Sequence, residues 1–191
     1  MNMNREQWLT ELAKRAEGLF DGLEFPAYRV ACSWPSRSAL SKKSRRIGEC
    51  WPADSSGDNT VEMIISMGID DALEVAATLV HEMVHCVVGN EHGHKGPFKR
   101  VATAVGLEGK MTATHAGTEL TERLNAFMDD MPPYPHAKID AMQSGRKKQG
   151  TRMLKAECEC GYTVRLARKW ADIGTPICPQ CNVNMILDEG V

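Results

Sequence analysis

The feature that most constrains this chain is a pair of histidines four residues apart, in the segment His81-Glu82-Met83-Val84-His85. An α-helix has 3.6 residues per turn, so His81 and His85 lie one turn apart on one face, where both imidazoles can reach one metal ion. Glu82 lies beside that face, and its carboxylate can reach a water molecule at an open coordination position. The pattern predicts a metal-binding helix; two histidines without a metal on an amphipathic helix are the alternative.

The residues around this motif are typical of a buried helix. Apolar side chains recur there at helical spacing, at Leu73, Ala76, Ala77, Val80, Val84 and Val87. Asp70 is the predicted N-cap, with Asp71 in the first turn, and Gly89 is the predicted C-terminal stop. The motif is therefore expected on a long helix that ends shortly after His85.

The rest of the first 142 residues predicts a mixture of helices and strands. Helical periodicity predicts three more helices, at about 5–20, 97–105 and 119–128. Extended runs predict three strands, at about 28–32, 47–51 and 60–66. The basic, serine-rich segment 36–46 is expected to join the first two strands as a long hairpin loop. These elements indicate the α+β class, with helices and a small antiparallel sheet.

A second group of metal-ligand residues lies near the C-terminus, where Cys158 and Cys160 form one pair and Cys178 and Cys181 form another. Seventeen residues separate the two pairs, which is close to the spacing of a four-cysteine zinc ribbon. Four thiolates would close the coordination of the metal, so the predicted site is structural. The module is short, and its folding is expected to depend on metal binding. A redox-active dithiol is the alternative.

These patterns divide the chain into a metal-binding domain at 1–142, a flexible basic linker at 143–152 and a zinc ribbon at 153–191. A length of 191 residues suffices for one medium domain and a small module. The formal net charge of −2 gives no overall field that would indicate nucleic acid or a membrane. The segments 36–46 and 143–169 are nevertheless basic, and they are candidate contacts to DNA.

Cysteine usage and hydropathy bear on the cellular compartment. The chain has seven cysteines, an odd number that cannot all pair in disulfides, and four of them have metal-ligand spacing. Both observations favour a reducing cytoplasm. The first residues lack the apolar core of a secretory signal, and no stretch approaches the roughly 18 apolar residues of a membrane span. We therefore expect a cytoplasmic protein; no pattern in the sequence indicates an oligomeric state.

A catalytic zinc site usually has three protein ligands and one water, so the histidine pair needs a third ligand. The candidates are His92, His94, Glu91, Glu108, His115 and Glu119. The longer pattern His-Glu-x-x-His-x-x-Gly-x-x-His would require glycine and histidine where this chain has Val88 and Glu91, so it fails. Residue spacing alone leaves the third ligand open.

The segment Gly93-His94-Lys95-Gly96-Pro97-Phe98 resembles the His-Gly-x-x-Phe-type segment of SprT-like metalloproteases, the family that includes Spartan. In that family the histidine completes the zinc site, and the phenylalanine four residues later packs in the core. The resemblance therefore implies His94 as the third ligand. This chain departs from the pattern at Lys95, where glycine is common. SprT-like proteins commonly carry a zinc ribbon after the protease domain, which is also the order of the two groups here.

The resemblance covers about 20–141 and the C-terminal module, and it implies a zincin-like fold that hydrolyses peptide bonds. One catalytic Zn²⁺ would bind His81, His85 and His94, and Glu82 would act as general base. One structural Zn²⁺ would bind the four cysteines. The implied substrate is a protein, and Spartan's link to proteins crosslinked to DNA extends this to DNA-associated proteins.

Related zincins pair an extended substrate with an edge strand beside the active helix, and strand 60–66 is the candidate here; an ordinary strand in the core of the sheet is the alternative. Two other functions are compatible with the same residues. One is a non-catalytic zinc protein that binds nucleic acid or a partner protein. The other is a regulator with an inert protease-like domain. A closed, fully protein-ligated first site would favour the non-catalytic function, whereas the presence of Glu82 favours the enzyme.

Overall fold

The computed structural model describes residues 3–141 and 153–188. The chain divides into two compact units, Met1–Ser144 and Gly145–Val191. The described residues form five α-helices and three small β-sheets, which confirms the predicted α+β class. The predicted linker, 143–152, lies outside the described residues. Within them, no helix combines the length and the apolar character needed to cross a membrane.

The first unit contains four helices and five strands. In chain order they are α1 (Arg5–Ala16), β1 (Tyr28–Ser33), β2 (Gly48–Trp51), β3 (Val61–Ser66), α2 (Ala72–Val88), α3 (Pro97–Ala104), β4 (Leu107–Lys110), β5 (Ala113–Ala116) and α4 (Thr118–Asp129). A 3₁₀ turn, Glu17–Leu19, extends α1, and another, Ala53–Ser55, precedes β3. The four predicted helices and three predicted strands lie close to their expected positions. The hairpin of β4 and β5 is additional.

The main sheet has the strand order β1-β3-β2, with β1 parallel and β2 antiparallel to β3. Two expectations are therefore wrong: the sheet is mixed, and 36–46 does not close a hairpin, because β3 lies between β1 and β2. The expectation that 60–66 is an edge strand is likewise wrong, since β3 is the central strand of this sheet. Its inward side chains explain the position, because Met63 and Ile65 are fully buried in the core.

Helix α2 packs on β2 and β3 and carries the histidine motif. Asp71 caps its N-terminus by accepting a hydrogen bond from the Glu74 amide at 2.8 Å. The predicted cap, Asp70, is one residue too early, and its carboxylate instead accepts from the Lys138 amide. Gly89 ends the helix, as predicted, with a φ of +83° that glycine adopts without strain.

The second unit is an antiparallel sheet with the order β7-β6-β8, formed by β6 (Leu154–Glu157), β7 (Thr163–Leu166) and β8 (Ile186–Asp188). A single turn of helix, α5 (Arg168–Ala171), follows β7. The buried apolar core of the described part consists of four residues, Ala156, Cys158, Cys178 and Met185. So small a core contributes little stability by itself, because burial of apolar surface is the main favourable term in folding.

Candidate metal centres

Three histidines of the first unit converge on one point. His81 and His85 project from α2, and His94 projects from the loop between α2 and α3. His94 Nε2 lies 3.1 Å from His81 Nε2 and 3.2 Å from His85 Nε2. Glycines with φ of +50° and +43°, at Gly93 and Gly96, let this loop turn tightly on either side of His94. The three side chains form a candidate metal-binding site.

The distances between the imidazoles fit a tetrahedral metal ion. Two nitrogens that each lie about 2.0–2.1 Å from zinc are about 3.3–3.4 Å apart in tetrahedral geometry. The observed separations of 3.1 and 3.2 Å are close to this value. Hydrogen bonds do not explain the arrangement, because Nε2 of a neutral imidazole either donates once or accepts once. Nε2 of His94 can therefore form a hydrogen bond with only one of the other two histidines at a time. A metal ion, in contrast, can be coordinated by all three Nε2 atoms.

Two neighbouring residues fix the orientation of the imidazoles. Thr114 on β5 places its Oγ1 2.8 Å from His81 Nδ1, which leaves Nε2 of that ring directed at the other histidines. The fully buried Phe98 ring lies 4.9, 4.4 and 4.8 Å from the ring centres of His81, His85 and His94. Phe98 is thus the apolar floor of the site. Thr114 was not predicted, because a single threonine in a hairpin has no distinctive sequence signal.

The electrostatic environment keeps the histidines neutral. Burial, together with the charges of the other two rings, lowers the pKa of His81 to about 3. Burial and the charges of His94 and Arg46 lower the pKa of His85 to about 4, and burial also lowers the pKa of His94. Neutral imidazole is the form that binds a metal. Nδ1 of His85 is buried without a hydrogen-bond partner in the described part of the chain, an arrangement that destabilises the fold and is typical of functional sites.

Glu82 lies beside the histidines but is not a member of the group. Within the described residues the group consists of the three histidines alone. The Glu82 side chain is 5% exposed, and burial raises its pKa to about 8, against the opposing charge of Arg46. Its carboxylate lies so close to Gly48 of β2 that a Cβ atom there would clash with Glu82 Oε1 and Thr78 Cγ2. Gly48 therefore makes room for the carboxylate, a requirement that the sequence did not reveal.

The other candidate third ligands lie outside the group. Glu91 and His92 are exposed and pair with each other at 3.5 Å. Glu108 and His115 face each other across the β4–β5 hairpin. Glu119 lies in the first turn of α4. Of the six candidates, His94 is the one that the structure brings to His81 and His85.

The four cysteines of the second unit form another candidate metal-binding site, with their sulfurs within 4.8 Å of one another. Cys160 Sγ and Cys178 Sγ are 3.7 Å apart, and two thiolates at about 2.3 Å from a tetrahedral zinc are about 3.8 Å apart. Each pair ends in a tight turn: the Gly161 amide donates to the Cys158 carbonyl and the Asn182 amide to the Cys178 carbonyl, both at 2.8 Å. Gly161 and Asn182 have the positive φ values, +86° and +54°, that such turns require.

Comparisons with protein-family models, with curated proteins and with solved structures find no match to this chain.

Proposed function

We propose that this chain is a zinc-dependent endopeptidase with a zincin-like first unit and a zinc ribbon as its second unit. The observation that carries the proposal is the convergence of three neutral imidazoles at metal-binding distance, beside a buried carboxylate on the same helix. The four-cysteine site has no position left for a substrate and is proposed as structural. DNA-associated proteins are the proposed substrate class, which is taken from the resemblance to SprT-like proteases.

In this proposal His81, His85 and His94 hold the catalytic zinc ion through Nε2. The ion, when bound, supplies Lewis acidity that makes a water molecule more acidic and polarises a carbonyl group. Glu82 accepts the proton of the attacking water and passes it to the leaving amine. Burial raises the pKa of Glu82 to about 8, and a cation bound nearby would lower it. The carboxylate is thus suited to exchanging a proton near neutral pH.

Strand β2 is the proposed binding strand for an extended peptide, in place of β3. The Ser66 amide donates to the Ile47 carbonyl at 2.8 Å, and antiparallel alternation then directs the N–H and C=O groups of Gly48 away from β3. The Arg46 amide, which also points away from β3, already donates to the Ser38 carbonyl at 3.3 Å, so a peptide that adds to this edge would pair at Gly48, beside the Glu82 carboxylate. The Cys50 carbonyl also points away from β3, but it already accepts a hydrogen bond from Asn90 Nδ2 at 2.8 Å.

The non-catalytic alternative is less consistent with this geometry. A structural zinc site typically has four protein ligands, whereas the histidine group has three among the described residues. A structural site also has no need for Glu82, because a buried carboxylate destabilises a fold unless it is paired or hydrogen-bonded. Both observations favour a site that binds and activates a water molecule.

Metal removal tests the proposal. Zinc-loaded protein is expected to cleave an unfolded substrate such as casein, since unfolded chains can add to the β2 edge. Treatment with a chelator should abolish cleavage, and added zinc should restore it, as measured by the appearance of new peptides in mass spectrometry. Cleavage that persists after complete metal removal, or a zinc-loaded protein that cleaves nothing, would contradict the proposal.

A further inference from the structure

Asn90 connects the end of helix α2 to the outer edge of strand β2. Its Nδ2 donates a hydrogen bond to the Cys50 carbonyl at 2.8 Å. The helix ends at Gly89, whose φ of +83° turns the chain out of the helical path, and Asn90 is the next residue. The Asn90 side chain is thereby directed at a strand that lies 40 residues earlier in the chain.

The Cys50 carbonyl is one of the groups that a peptide added to the β2 edge would use. In the register of β2 with β3, Gly48 and Cys50 are the β2 residues whose N–H and C=O groups point away from β3. They are about 6.6 Å apart along the strand, and an added strand would lie about 4.8 Å from β2. A donor 2.8 Å from the Cys50 oxygen therefore occupies space that the backbone of the added strand would need.

Gly48 is the part of the β2 edge that remains open to a peptide. On its other side, the Arg46 amide donates to the Ser38 carbonyl at 3.3 Å. Between these two contacts, the Gly48 amide and carbonyl have no hydrogen-bond partner among the described residues. The backbone of Gly48 also lies against the Glu82 carboxylate. In the described part of the chain, the open pairing position of β2 is thus the position beside the proposed general base.

We propose that Asn90 limits backbone pairing of the substrate to a single residue, the one opposite Gly48, by closing the β2 edge at Cys50. This inference rests on the proposed peptidase function. Asn90 is a positioning residue in this role, because it determines where the substrate backbone pairs and takes no part in the reaction. The substrate is then held by its backbone at one point beside Glu82, and the peptide residues on the Cys50 side stay unpaired.

A second contact of Asn90 involves its backbone and not its side chain. The Gly93 amide donates to the Asn90 carbonyl at 3.0 Å and forms the turn that leads to His94. An alanine at this position keeps the carbonyl and hence the turn. Asn90→Ala is therefore expected to open the β2 edge at Cys50 while the protein keeps its zinc.

Peptides in which one backbone amide is replaced by an ester test the inference, because an ester has no N–H donor. The scissile bond of a cleaved casein peptide is mapped by mass spectrometry and kept as an amide, and the ester is placed at each of four positions on either side of it. For the native chain, the ester opposite Gly48 should lower kcat/KM about three- to tenfold, the effect of one lost hydrogen bond. Esters two residues from this position should change kcat/KM less than about twofold.

Asn90→Ala should make one of these more distant positions as sensitive as the first. The reason is that the Cys50 carbonyl is then free to accept the N–H of the peptide residue two places along the strand. Peptide binding to zinc-loaded Glu82→Gln protein, with and without Asn90→Ala, should show the same two patterns. Fluorescence polarisation measures this binding without cleavage.

Asn125→Ala is the matched control, because it removes the same amide group from an exposed position on α4, and it should keep the native pattern. Thermal melting and zinc content check each variant. A native chain that is sensitive at no position or at two positions two residues apart, or an Asn90→Ala variant with the native pattern, overturns the inference while leaving zinc-dependent cleavage intact. Loss of zinc from Asn90→Ala would show that the side chain holds the His94 loop instead, which also overturns it.

Discussion

Replacing Glu82 with glutamine is expected to reduce zinc-dependent peptide cleavage by about 100- to 10,000-fold, the range typical of a lost general base. Glutamine has the same shape but cannot accept the proton of the attacking water. The carboxylate is not one of the three ligands, so the variant should retain the full complement of zinc. Cleavage rates from a fluorogenic peptide, measured together with metal content by elemental analysis, separate these two effects.

Glu74→Gln is the matched control for this variant. Glu74 lies on the same helix, but it is exposed in the first turn, about two turns before His81. This control removes the same negative charge, and it should leave both cleavage and metal content unchanged. Equal activity of the native chain and Glu82→Gln would refute the proposed role of the carboxylate. Loss of zinc from Glu82→Gln would show instead that Glu82 is a ligand.

Replacing Cys178 with serine is expected to remove one of two zinc ions and to unfold the second unit. Cys178 is fully buried, and among the described residues the apolar core around it has three other buried members. Zinc binding contributes roughly 10–16 kcal/mol to the folding of small zinc modules, far more than so small a core supplies. Metal content should fall from about two ions per chain to about one. Hydrogen exchange should show loss of protection in β6, β7 and β8.

The three histidines do not depend on Cys178, so the first unit of this variant should keep its zinc and its protection from exchange. Cys32→Ser is the control, because Cys32 is a free thiol on β1 of the first unit and outside both metal groups. The control should keep two zinc ions. A Cys178→Ser protein that also binds two zinc ions would show that the cysteine group is not a metal site.

Much of the local structure could be predicted from the sequence. The apolar stripe and the stop at Gly89 predicted α2, because helical periodicity and capping depend on neighbouring residues. The helix then placed His81 and His85 on one face, as the structure shows. His94 required the resemblance to SprT-like proteases, since six side chains were compatible with the spacing. The tight turns after Cys160 and Cys181 followed from glycine and asparagine at the required positions.

Long-range packing could not be predicted in the same way. The sequence order of the strands suggested a hairpin of β1 and β2, but the buried side chains of β3 place it between them. The space that Gly48 leaves for Glu82, and the hydrogen bond of Thr114 to His81, join residues more than 30 positions apart. Patterns among neighbouring residues in the sequence do not predict such contacts.

The central claim is that three imidazoles hold one zinc ion and leave a coordination position open beside Glu82. Anomalous diffraction at the zinc edge, from crystals of the zinc-loaded protein, tests it most directly. We expect a zinc ion about 2.0–2.1 Å from Nε2 of His81, His85 and His94, with no fourth protein ligand. A zinc ion that does not contact His94, or whose coordination is completed by another side chain of the protein, would contradict it.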